Sequence, residues 1–390
     1  MGQKMSSHEL ALDCAIMIVG AGPAGISTWL HLQMYAPELA EHSIVIEKAV
    51  FPRDKLCAGI LVPWSADVLA HLEVELDIPC LFVSDLEFRS GAEIDRLQQP
   101  NFFRVVQRMD FDHVLAKTAA NRGLELHEDE LFVDATGDRC ELIIRTNKRS
   151  YRVQALVGAD GALSTVRRKM MPPQKPHLAS MIQIFASVDP RGDTDFNERR
   201  MVFDFTPINE GLQGYVWHVP CLKDDTPSVV HGICDFRVCP DQPRAGMKRI
   251  FSRELQCRNI HRDPKSWFCH PIRWLSDDDI ISQPNVLLAG DAAGIEPAFG
   301  GGVHLALSYG EVAAHAIIDA FQDNDFSFHD YKQRIQSHSV GKFIAKCTHL
   351  ALEMYGGRMN PLDAAREVFT APLDPLLSVG LLDPKHVKGS

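Results

Sequence analysis

Gly20-x-Gly22-x-x-Gly25 follows the apolar run Ala15 to Val19 and opens a helical pattern that continues to about Met34. Glycines at this spacing permit a tight turn, let the backbone approach a pyrophosphate and pack the helix close to the strand, while the helix N-terminus offers positive potential. Glu47 stands roughly 20 residues further on, at the end of a β-branched run, where a carboxylate can accept hydrogen bonds from a ribose. The chemistry expected of this pair is dinucleotide binding; a packed turn and a solvated strand end are the plain alternative. Tyr215 and Trp217 alternate with Val216 and so share one face of a strand, with His218 on the other. Two rigid aromatic side chains suit the wall of a cavity for an apolar or planar substrate, and equally describe a sheet core.

The elements that must position these residues follow from the pattern. Strand, glycine turn, helix and the strand Ser43 to Glu47 form a βαβ unit with a right-handed crossover and hence a parallel sheet. An extended piece from Val105 precedes a helix over Phe111 to Asn121. The strand Leu142 to Thr146 turns at Asn147-Lys148 into a partner, Tyr151 to Val157, which runs into Gly158-Ala159-Asp160-Gly161. From about Ser180 to Ser276 short alternating strands (Met181 to Val188, Met201 to Phe205, Tyr215 to Val219, Val229 to Phe236) predict an inserted antiparallel sheet. Val286 to Ala289 then reads as a buried strand before Gly290-Asp291, and Val303 to Phe321 as a helix returning to the first fold. Asp330 to Tyr355 and Pro361 to Val368 read as amphipathic helix, separated by Gly356-Gly357.

Three motifs in this order resemble those of the flavoprotein hydroxylase and geranylgeranyl reductase superfamily: the glycine turn, a DG motif at Gly158-Ala159-Asp160-Gly161 and a GD motif at Gly290-Asp291. The resemblance implies FAD as cofactor, with Gly20, Gly22, Ala24, Gly25, Glu47 and Asp160 among its contacts. It places Asp291 at the ribityl chain and Pro297, Gly300, Gly301, Gly302 and Val303 against the pyrimidine edge of the flavin. A helix N-terminus at Val303 would there stabilise the negative charge of the reduced ring. Val106-Gln107-Arg108-x-x-Phe111-Asp112 resembles the family segment whose polar residue reaches the ribityl or phosphate, which is Arg108 here, with a plain surface charge as the alternative.

Two further stretches resemble the geranylgeranyl reductase branch. Phe51-Pro52-Arg53-Asp54-Lys55-Leu56-Cys57-Ala58-Gly59 matches a P-R-x-K-x-C-G-G segment near the flavin, which brings Arg53, Cys57 and Ala58 into the expected site. Gly214 to Pro220 matches a strand that lines the substrate cavity, making Cys57, Tyr215 and Trp217 the expected flavin-proximal or cavity residues. Cys57 is equally well a small buried thiol. Ala58 replaces a family glycine and Val219 a phenylalanine, so the cavity is expected to differ in shape.

The implied fold is α/β: a Rossmann-type FAD-binding fold over residues 1–179 and 281–325, an antiparallel-sheet substrate domain over 180–280, and a C-terminal helical region over 326–390. The implied activity is reduction of an activated or isoprenoid double bond in an apolar or planar organic substrate, isoprenoid or aromatic, by flavin that NAD(P)H or another donor reduces; no second glycine fingerprint follows a strand, so NAD(P)H would dock transiently. A monooxygenase that hydroxylates or epoxidises uses the same scaffold. A flavin halogenase is disfavoured because no lysine occurs from Ile60 to Leu115, and a non-enzymatic escort of prenylated proteins is disfavoured by the intact Gly290-Asp291.

Composition narrows the remaining classes. A net charge of −11 repels polyanions, so nucleic acid is not an expected partner. Ten cysteines without C-x-x-C spacing read as reduced thiols of a cytoplasmic protein and imply no metal site. No run is long and apolar enough to span a membrane, although a lipid substrate would bring the protein to a membrane surface. Met1 to Ser6 fits the M-G-x-x-x-[ST] myristoylation pattern.

Overall fold

The computed structural model describes residues 12–370, so the myristoylation-like pattern lies outside the described residues. Four parallel strands, Ile16–Val19, Ser43–Ile46, Ala155–Gly158 and Val286–Leu288, form the middle of a six-stranded sheet, with Glu125–His127 at one edge and Ser282–Gln283 closing the other. All four are buried along their whole length, as expected of a parallel sheet covered on both faces. Their register is level: Val19 lies beside Ile46 and Gly158, and Gly158 beside Leu288. The residues that follow, Gly20, Glu47, Ala159 and Ala289, therefore emerge together at the carboxyl ends of the strands. This is where open α/β sheets bind ligands.

Helix Pro23–Tyr35 packs on this sheet, and Val303–Asp323 lies along that helix. Ser27 Oγ donates to the Leu307 carbonyl across their contact, at 2.6 Å. The run expected as one strand over Tyr151 to Val157 is two strands. Ser150–Val153 pairs with Leu142–Thr146 in a four-stranded sheet, whereas Ala155–Gly158 joins the parallel sheet. The break falls at Gln154, whose carbonyl accepts from Asn285 Nδ2 at 2.8 Å.

The expected antiparallel sheet is present and larger than its sequence pattern. Its eight strands run Phe268–Arg273, Leu178–Ser187, Thr226–Asp235, Val216–Lys223, Arg200–Asp204, Cys80–Ser90, Glu93–Val106 and Ile60–Leu61. The last three come from before the parallel sheet is complete. The hairpin from Cys80 to Val106 lacks a clean two-residue alternation, because much of Glu93–Val106 is exposed on both faces. The helical stretch from Asp330 breaks at His338 into Tyr331–Ser337 and Ser339–Tyr355, and Pro361–Phe369 ends the described chain. An α/β architecture with a parallel sheet, an antiparallel sheet and C-terminal helices is thus the fold of the chain.

Candidate functional site

One cavity of about 870 Å³ runs from the carboxyl ends of the parallel strands to the inner face of the eight-stranded sheet. At its first end the glycine turn leaves no room for a side chain at Gly20 or Gly25. A Cβ on Gly25 would stand 1.9 Å from the Gly20 carbonyl oxygen, so helix and turn can close only on glycine. A Cβ on Gly22 would meet only Arg53 Nη2, at 3.8 Å, which leaves backbone open to the cavity at the N-terminus of Pro23–Tyr35.

Glu47 is buried and accepts from the Ala21 N–H at 3.0 Å and the Ala49 N–H at 3.1 Å, locking the second strand end to the turn. Arg53 bridges to Asp112 at 3.0 Å and approaches Glu47 at 3.6 Å, while its buried Nε donates no hydrogen bond. That Nε faces the Glu47 carboxylate, while Nη2 lies toward the open glycine turn, where a guanidinium fits an anionic ligand. Arg108 is engaged differently: its Nε and Nη2 bind Asp112 in a bidentate pair at 2.8 and 3.0 Å. Burial works against its charge, and Asp112 overrides this and holds its pKa above the ordinary range.

Asp160 lines the cavity, but its carboxylate accepts from Ser164 Oγ at 2.5 Å and the Thr165 N–H at 2.6 Å. It thereby caps helix Thr165–Met170. Burial raises its pKa, against the pull of those donors. Asp291, Gly300, Gly301, Gly302 and Val303 also line the cavity, together with Ala24, Cys57 and Ala58. Gly25, Gly290 and Pro297 do not line the cavity; Gly290 instead packs on Ala24, where a Cβ would meet another at 2.7 Å.

The second end is apolar. Tyr215 and Trp217 lie on the cavity face with Met181, Phe203 and Phe369, their own rings 5.9 Å apart. The Trp217 indole lies over Gly232 on the neighbouring strand, where a Cβ would be 2.0 Å from the ring. Tyr215 OH donates to the Phe299 carbonyl, tying the sheet to the glycine-rich turn. His218 faces away and pairs with His231, Nδ1 to Nδ1, at 2.7 Å.

Among the cavity residues that the sequence did not single out are three titratable groups. Glu296 is buried beneath the 298–301 turn and accepts its N–H groups. Lys55 reaches into the cavity and meets His270 at 3.1 Å. The signal for Lys55 was present in the Pro52 to Gly59 stretch, and for Glu296 in its place before Pro297. His270 has none, because the strand Phe268–Arg273 carries no motif.

The turn, the strand-end carboxylates and the cationic groups around Arg53 fit an adenine dinucleotide, with Asp291 and the 300–302 turn placed to receive its far end. The FAD binding domain family profile matches residues 13–308. Digeranylgeranylglycerophospholipid reductase 3 of Methanosphaera stadtmanae is 25% identical, over 89% of this chain and 88% of its own. A geranylgeranyl bacteriochlorophyll reductase-like protein from Thermoplasma acidophilum has the same fold, with a TM-score of 0.72 at 18% identity over 95% of this chain and 96% of its own. A probable FAD-dependent monooxygenase from Pseudomonas aeruginosa also shares it, with a TM-score of 0.65 at 17% identity over 92% and 100% of the two chains. Among the described residues no helix is long and apolar enough to cross a membrane.

Proposed function

From the premise that the chain belongs to the FAD binding domain family and is a flavin-dependent oxidoreductase, we propose that it reduces a carbon–carbon double bond of an apolar organic substrate, drawing electrons from NAD(P)H. Bound FAD supplies the hydride chemistry. The observation that carries the reading is the single continuous cavity, with the glycine turn, Glu47 and Arg53 at one end and the wall of Met181, Phe203, Tyr215 and Trp217 at the other. An apolar chain seated on that wall has its reacting carbons directed towards the 300–302 turn and is shielded from water. The archaeal lipid reductase supports the reductase reading over the monooxygenase one.

Anaerobically reduced protein is expected to be reoxidised by an alkene substrate, and in air to form peroxide without inserting oxygen into product. Mass spectrometry under labelled oxygen decides the matter: label in the product would make the protein a monooxygenase and end the reductase reading. Asp291 lines the same cavity, and on this reading it contacts the cofactor. Asp291→Ala is expected to weaken FAD binding by about 1.5 to 3 kcal/mol, the worth of a charge-assisted hydrogen bond. Fluorescence titration with FAD measures this, and an unchanged affinity removes Asp291 from the site.

A further inference from the structure

Lys55 stands where the two ends of the cavity meet. It comes from the loop after Arg53, and its Nζ contacts Nε2 of His270 at 3.1 Å. His270 pairs in register with Met181, and Met181 with Cys234, so it belongs to the same sheet face as the apolar wall. Burial, and then the neighbouring Lys55, hold the His270 pKa down to about 4, so its imidazole is neutral and Nε2 accepts one ammonium proton.

An ammonium has three N–H donors, and among the described residues His270 is the hydrogen-bond acceptor of this one. The other groups that act on Lys55 are Asp291, Arg108, Cys57 and Asp112. An isolated alkene offers a half-buried ammonium nothing to bind, whereas a carbonyl oxygen does. Resting on the reductase reading, we propose that Lys55 is a catalytic residue, that it binds the carbonyl oxygen of the substrate and donates the proton, and that the reduced double bond is therefore conjugated to a carbonyl.

The step balances. The β-carbon accepts a hydride from reduced FAD, forming a C–H bond, and the π pair moves onto the carbonyl as an enolate held by Lys55. The α-carbon then takes a proton from the Lys55 ammonium as its N–H bond breaks, and water returns the proton to the amine. The substrate gains two electrons and two hydrogens, and the FAD is left oxidised.

The test uses dithionite-reduced full-length protein in anaerobic stopped flow, with geranial as the conjugated probe and geraniol as its unconjugated counterpart. Geranial is expected to reoxidise the parent protein at least about tenfold faster than geraniol. Lys55→Met, with Lys55→Gln as a second variant, is expected to lose about 100-fold or more of the geranial rate, the usual worth of a positioned acid, while keeping its FAD. Burial lowers the Lys55 pKa, so the parent rate should fall as pH rises through a range below that of an exposed lysine. The variant rates should be flat there.

A geraniol rate within a few-fold of the geranial rate, a Lys55→Met protein as fast as the parent, or one that has lost its FAD overturns the assignment of Lys55 and leaves the reductase reading standing. If neither probe reoxidises the parent, the reductase reading itself fails, and this inference fails with it.

Discussion

Replacing Asp279 by Ala is expected to cost about 3 to 5 kcal/mol of folding free energy, the usual penalty for stranding a buried charge. Asp279 is 2% exposed and holds Arg167 at 3.1 Å, His177 at 3.2 Å and the Ser276 N–H at 2.9 Å. The Arg167 guanidinium also donates to the Ala292 and Ala293 carbonyls, at 2.8 Å each, which fixes the turn carrying Asp291. A second buried guanidinium, Arg273, lies near enough for Arg167 to depress it: burial first, and Arg167 next, bring its pKa down to about 10. Without Asp279 two buried cations that repel each other lose the carboxylate whose charge acts on both. Urea unfolding of the parent and variant measures the loss, and Asp279→Asn, which keeps the shape and one acceptor, should fall between them. A variant within about 0.5 kcal/mol of the parent, the range of an ordinary surface change, would mean that the pair is solvated and structurally idle.

The parts of this site that could be read from the sequence are those in which local backbone chemistry and function coincide. Gly20 and Gly25 announce themselves because positions that admit no Cβ leave no other choice of residue, and the buried strand before them fixes their place in the sheet. Gly158 and Leu288 end their strands level with Val19, which fixes where the two motifs emerge from the sheet. The strand from Leu142 to Thr146 was legible to the residue, because two-residue alternation and a turn at Asn147 bound it on both sides.

What could not be read depends on long-range pairing. The hairpin from Cys80 to Val106 joins the far sheet through Asp85 to Arg89 beside Arg200 to Asp204, a parallel contact that no local pattern encodes. Arg108 reads as an available cation in the sequence, yet its guanidinium is already held by Asp112, one helical turn away. Asp160 carries the DG motif and also caps the next helix, a role that its spacing to Ser164 allows and its motif conceals. His270 enters the cavity only because its strand pairs with Leu178–Ser187.

Glu296 carries the second large effect. Its Oε2 accepts the N–H groups of Ala298 at 2.6 Å and Phe299 at 2.9 Å, and its Oε1 accepts that of Gly301 at 2.6 Å. The turn so held is tied from outside by Tyr355 OH to the Ala298 carbonyl at 3.1 Å and by Tyr215 OH to the Phe299 carbonyl. Burial pushes the Glu296 carboxyl above the usual range, and the surrounding N–H groups pull it back. Glu296→Ala leaves three buried donors without an acceptor, each costing about 1 to 3 kcal/mol, so the turn is expected to rearrange at a total of at least about 3 kcal/mol. If that turn receives the flavin, FAD affinity should fall by about 100-fold, because 1.4 kcal/mol is a factor of ten. Glu296→Gln keeps one accepting oxygen but sets an N–H against another N–H, and should lie between the two. The discriminating measurement is FAD titration alongside far-ultraviolet circular dichroism. A folded Glu296→Ala protein that binds FAD as tightly as the parent would show that the 298–301 turn is not part of the cofactor site.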